Sequence, residues 1–108
     1  MNNKFRFRIA SESMSPLLKV GDEIVWEKVI TPASDLRRFD LIVFRQNNKL
    51  FCHYLWSINS HRDVYVTKPL QSTDCEDLPL SSSDILGRLV SHRMNLYWRI
   101  KVVLCFLF

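Results

Sequence analysis

Cysteine is scarce in this sequence of 108 residues: Cys52, Cys75 and Cys105 make an odd count, and no C-x-x-C pair occurs. That excludes a fully paired disulfide framework and a zinc ribbon, and a reducing compartment is the simpler setting. The opening MNNKFRFRIA lacks the apolar run and small-residue cleavage site of a secretory signal, so the mature chain is expected to begin near Met1. There is no internal repeat, no low-complexity tract and no composition break that would mark a second domain. A single domain of this length can bury roughly two-thirds of its unfolded surface, enough to fold without covalent staples.

Acidic residues are slightly outnumbered, 11 against 15 basic, for a formal charge of +4. The basic positions are densest at Lys4, Arg6 and Arg8 and at Arg88, Arg93, Arg99 and Lys101. Such a balance attracts phosphates or anionic lipid without specifying either. No basic stripe is long enough for a nucleic-acid path, and the alternating Phe and Arg of KFRFR is what a half-buried edge strand shows, so nucleic acid is not an expected partner. A metal site from Cys52, His53, His61 and Cys75 fails on spacing, and no metal or cofactor is expected.

What the sequence does have is period-two alternation. Strands are predicted at residues 5–10, 23–29, 40–45, 49–58, 63–68 and 85–92, with QNN and NSHRD as hairpin turns, and TPASDLRRF and PLQSTDCEDLPLSSS as longer loops. The fold is therefore expected to be mainly β, built of antiparallel hairpins. From Met94 the pattern changes to MNLYWRIKVVLCFLF, apolar but short of the ~20 residues of a spanning helix. It reads either as a terminal core element or as an interfacial helix with Tyr97 and Trp98 at headgroup level.

One stretch, SESMSPLLKVGDEIVWEKV from Ser11, sets a polar elbow of turn formers directly before an apolar strand. A serine hydroxyl is a weak nucleophile until it is exposed and within reach of a base. An elbow leaving a strand provides the exposure, with Pro16 and Gly21 shaping it and Met14 expected to point inward beneath it. Forty residues on, His53 lies mid-strand in FCHYLWSI, sharing a face with Phe51 and Leu55, while Cys52 and Tyr54 share the other. Cys52 and His53 thus do not form a Cys-His pair. A histidine on such a face is by itself more often a hydrogen-bonded core residue than a catalyst.

Taken in order, these segments resemble the signal peptidase I and repressor-autocleavage superfamily of serine peptidases. SMSPLLKVGDEIV at residues 13–25 is similar to its S-M-x-P and G-D block, and FDLIVF at residues 39–44 to its G-D-[ILV]-[ILV]-V-F block, with Phe39 in place of glycine. YVTKPLQSTDCEDLPLSSSDILGRLV at residues 65–90 is similar to its closing T-K-G-D, acidic and [IVL]-G-[RK] elements. His53 falls where the base belongs, as in the histidine-carrying endoplasmic-reticulum and archaeal-like branch. The resemblance implies a compact signal-peptidase-like β fold over residues 1–93, with residues 94–108 as an apolar tail that can associate with a membrane. It implies Ser13 as nucleophile, His53 as base, and Ser11 at a position that can complete the oxyanion hole, although Ser11 also reads as a plain turn serine.

Asp74, Glu76 and Asp77 each offer an acceptor for the far ring nitrogen, and Asp77 is chosen because DLP resembles the family's acidic D-x-P step. The substrate would be a peptide or protein held extended along a sheet edge, with a small side chain before the scissile bond. Activity would fall as pH drops through the ordinary imidazole range near ~6.5. Departures are Pro69 and Leu70 for the family's Gly-Asp, Tyr54 after the histidine, and Glu12 before the nucleophile. They keep open a non-catalytic module that binds an extended peptide or membrane partner. The setting expected is cytoplasmic or peripheral to the cytoplasmic membrane.

Overall fold

The computed structural model describes residues 4–72 and 76–107. Asp74, Cys75 and the outermost positions at either end, Met1 and Phe108 among them, lie outside the described residues. Six strands, β1 (Lys4–Arg8), β2 (Glu23–Lys28), β3 (Leu41–Gln46), β4 (Lys49–Asn59), β5 (Val64–Lys68) and β6 (Ile85–Leu89), form one sheet in the order β1-β2-β6-β3-β4-β5. Every pairing is antiparallel, so the protein is mainly β, as its alternation predicts. Two α-helices accompany the sheet among the described residues, α1 (Pro32–Asp35) and α2 (Leu96–Leu107).

Alternation assigns side chains to two faces of the sheet. Leu41 and Val43 of β3 join Cys52, Tyr54 and Trp56 of β4 in the larger core, which also takes in Met14, Leu18, Ile24 and Leu89. Ile42 and Phe44 face the other way, with Leu55, Tyr65, Leu80 and Ile85. A register shift between Leu55 and Ser57 bends the long strand β4. The β3–β4 hairpin closes through Asn47 and Asn48 at φ 54 and 62, the left-handed conformation that asparagine tolerates and that suits a two-residue turn.

Strand ends differ from the alternation pattern where the backbone finds other partners. β1 stops at Arg8 because Ile9 donates to the Asp22 carbonyl and accepts from Gly21, both at 2.8 Å, closing the loop that carries SESMSP. Gly21, at φ 91, makes that turn. β6 stops at Leu89, three residues short of its expected end: the N–H groups of Val90 and Ser91 converge on the Val25 carbonyl, and Ser91 Oγ accepts the Val25 N–H at 2.9 Å.

The two longer loops are not wholly irregular. TPASDLRRF contains the one-turn α1, with proline at its start where a missing N–H costs nothing. PLQSTDCEDLPLSSS contains 3-10 turns at Leu70–Ser72 and Ser82–Asp84, the second closed by a capping box between Ser81 and Asp84. Between these turns Leu80 pairs with Tyr65 through two 2.8 Å bonds, covering the outer edge of β5.

At α2 the side chain of Asn95 accepts the Trp98 N–H at 3.2 Å, an N-cap that starts the helix. Met94 and Val102, each 1 % exposed, belong to the larger core, with Trp98 and Val103 packed against it. Leu96, Tyr97, Ile100 and Leu104 remain exposed. No helix among the described residues is long and apolar enough to cross a membrane.

Candidate active site

The site forms where β5 leaves the side of β4. Pairing between them begins at Tyr54 and Lys68, and the next residue of that chain, Pro69, has no N–H to extend the ladder. Beside His53 the edge of β4 is therefore open on that side, and the elbow after β1 fills the gap. The departing chain then clamps the elbow. Leu70 donates its N–H to the Met14 sulfur at 3.3 Å, Gln71 N–H donates to the Ser13 carbonyl at 2.9 Å, and the Gln71 side-chain amide donates to the Ser15 carbonyl at 2.8 Å. Met14 points into the larger core, 1 % exposed, as the elbow's expected anchor.

These constraints bring together the four side chains singled out from the sequence. His53 Nε2 lies 3.1 Å from Ser13 Oγ, and His53 Nδ1 lies 2.6 Å from Asp77 Oδ2. Ser11 Oγ lies 3.2 Å from Ser13 Oγ. An ionised carboxylate only accepts, so Nδ1 carries the proton and donates to Asp77; neutral imidazole then offers Nε2 as acceptor to the serine hydroxyl. Phe44 and Phe51 flank the imidazole with ring centres 5.7 and 6.0 Å away, leaving it 7 % exposed.

Asp77 is fixed twice by one residue. Its N–H donates to the Thr67 carbonyl at 2.9 Å, and Thr67 Oγ1 donates to Asp77 Oδ2 at 2.7 Å, the same oxygen that takes the imidazole. Burial by itself pushes the carboxyl of Asp77 up; the hydrogen bonds from His53 and Thr67, with the histidine's charge, outweigh it and hold the group below its ordinary value. Thr67 was not foreseen, since a threonine in an alternating strand looks like ordinary β-propensity. Gln71 carries no sequence signal for its clamping role.

The departures from the family pattern have structural answers. Pro69 ends the ladder and Leu70 buttresses the elbow, while the carboxylate beside the histidine comes from Asp77. Tyr54 is fully buried in the larger core, on the face away from the imidazole. Glu12 is exposed, and its side chain makes no hydrogen bond or ion pair among the described residues. Phe39 adopts φ 75, the left-handed conformation for which glycine is the ordinary residue, and its ring packs edge-on against Trp56 at 6.3 Å. Lys68 is buried with its ammonium 3.9 Å from the centre of the Trp56 ring.

Beside Ser13 lies a cleft of about 140 Å³ with a largely apolar wall that includes Ile9, Met14, Phe51 and Cys52. Burial pushes the Cys52 thiol up to about 12, which leaves it a neutral wall group. Among the described residues the outer edge of β1 pairs with no strand of the sheet, and the first half of β4 pairs only with β3.

The family model described as signal peptidase, peptidase S26, matches residues 4–70. The chain belongs to the signal peptidase S26 family. The matched span holds Ser11, Ser13, His53 and Thr67, with Asp77 beyond it. No curated protein and no solved structure matches the chain.

Proposed function

We propose that this chain is a serine endopeptidase of the histidine-base type, which cleaves a signal or leader peptide bound in extended form. The observation that carries the reading is the hydrogen-bonded series Ser13, His53, Asp77, Thr67, in which each group has the partner its role requires.

Ser13 Oγ attacks the scissile carbonyl carbon as His53 Nε2 takes the hydroxyl proton, forming a C–O bond and a tetrahedral oxyanion. Collapse breaks the C–N bond; the leaving amine takes the proton from Nε2, and the acyl group remains as an ester on Ser13. Water then attacks that ester while giving a proton to the same nitrogen, and Ser13 leaves with it. Asp77 stays ionised throughout and supports the imidazolium that forms twice. For the oxyanion, the Ser13 N–H makes no backbone hydrogen bond among the described residues, and the Ser11 hydroxyl stands close by. One such donor is typically worth roughly 3–4 kcal/mol in the transition state.

The substrate adds backbone hydrogen bonds along the open edges of β1 and early β4, a β-augmentation mode. The neighbouring cleft admits a small apolar side chain just before the scissile bond. Ser13→Ala and His53→Ala are expected to remain folded, each with a cooperative melting transition, and to abolish cleavage of an extended peptide with alanine at that position. A serine-reactive phosphonate should label wild-type Ser13. Cleavage retained in both variants would sink the dyad. A folded wild type that binds peptide but neither cleaves it nor takes the label would instead be the non-catalytic module.

A further inference from the structure

We propose that α2, together with the arginine-lined cavity at its start, docks this protein on the surface of a bilayer carrying anionic phospholipids. The inference does not depend on the peptidase chemistry.

The helix has two apolar faces and only one is used by the fold. Val102 is sealed in the core, whereas Leu96, Tyr97, Ile100 and Leu104 are 71, 63, 50 and 48 % exposed. Their spacing lines them along one side of α2. Lys101, exposed, flanks this strip on one side and Arg99, also exposed, on the other; α2 carries no acidic residue. An apolar strip with basic borders fits an interface in which hydrocarbon lies beneath a layer of phosphates. Over its described residues the helix is not long and apolar enough to cross a bilayer, and in this proposal it lies in the plane of the surface.

A cavity of about 340 Å³ opens beside the start of the helix, lined among others by Glu27, Asp40, Arg88, His92, Arg93 and Arg99. Its two carboxylates are already answered by Arg88, at 3.1 Å to Glu27 and 3.7 Å to Asp40. Arg99 gives Nε to the Met94 carbonyl at 2.7 Å, an arrangement that leaves its terminal nitrogens available. Arg93 makes no hydrogen bond or ion pair among the described residues. Two guanidinium groups with open donors match the oxygens of a phosphodiester.

A second copy of the chain fits less well. The exposed strip, from Leu96 to Leu104, runs about 12 Å along α2 and roughly 10 Å across, on the order of 120 Å² against the ~800 Å² per partner of a stable interface. Symmetric pairing through it would also set Arg99 and Lys101 against their own kind.

The test is flotation of the full chain with phosphatidylcholine vesicles, with and without phosphatidylglycerol. Binding should require phosphatidylglycerol. Ile100→Glu should abolish it with an unchanged melting curve, and Lys101→Glu and Arg93→Glu should each weaken it roughly fivefold or more. Equal binding to both vesicles, or to neither, would overturn the proposal. So would Arg93→Glu binding as the wild type does. Glycerol phosphate binding to a protein that ignores vesicles would assign the cavity to a free phosphate compound. A dimer that forms without lipid and is broken by Ile100→Glu would assign the strip to a second copy.

Discussion

At the scale of single residues, the imidazole of His53 is poised by what surrounds it more than by its own chemistry. One carboxylate oxygen of Asp77 receives both Nδ1 and the Thr67 hydroxyl, so tautomer and ring orientation are set together. Asp77→Asn keeps the shape but can present an N–H where an acceptor is needed. It is expected to lower kcat by up to about four orders of magnitude, the loss typical of a triad acid, with KM little changed. It should also cost roughly 1.5–3 kcal/mol of stability. A carboxyl held below its ordinary value stabilises the fold above the unfolded value near ~3.9, and that contribution fades as pH falls through the lower, folded value. In urea titrations the gap between wild type and Asp77→Asn should be present at about pH 5 and shrink below about pH 4. Of this cluster, Ser13, His53, Asp77 and Ser11 were legible because their order along the chain follows a family pattern. Thr67 was not, because its hydroxyl matters only once residue 77 has folded back along β5.

At the scale of elements, the sheet was readable from alternation in the outer strands and from the apolar runs of β3 and β4, which bury both faces with opposite sets of apolar residues. The ends of β1 and β6 were not, because Ile9 and Ser91 turn their backbone bonds to partners distant in sequence, whereas β5 ends at Lys68 as expected. Nor was α1, whose single turn is too short to carry a 3.6-residue period. Gly87 of β6 has no room for a side chain. A Cβ there would sit 2.2 Å from the Glu27 carbonyl oxygen and 2.3 Å from the Trp26 ring, so backbone itself would have to move. Gly87→Ala is expected to lose about 1–3 kcal/mol or more by overpacking, seen as a lower urea midpoint. It should also reduce activity measured near that midpoint through the unfolded fraction alone.

At the scale of the whole molecule, the tail is part of the globule. The radius of gyration, 13.1 Å, matches the ~13 Å of a compact chain of this length. The sequence left the segment after Met94 open between core element and surface helix because it is apolar nearly all round, and burial assigns one face to the core. Met94→Ala is expected to cost roughly 2–4 kcal/mol in equilibrium unfolding, whereas Ile100→Ala on the exposed face should change stability by less than about 0.5 kcal/mol. Similar losses in both would mean that the two faces of the helix are not distinguished as described.

The clamp on the elbow is made by a glutamine 56 positions further on than Ser15, whose carbonyl it holds. In the proposed enzyme the nucleophile is therefore translated well before the residue that holds its loop in place. On the proposed reading, translation must pass Asp77 before the relay from Ser13 through His53 can close. On that reading the order of synthesis itself acts as a safety catch.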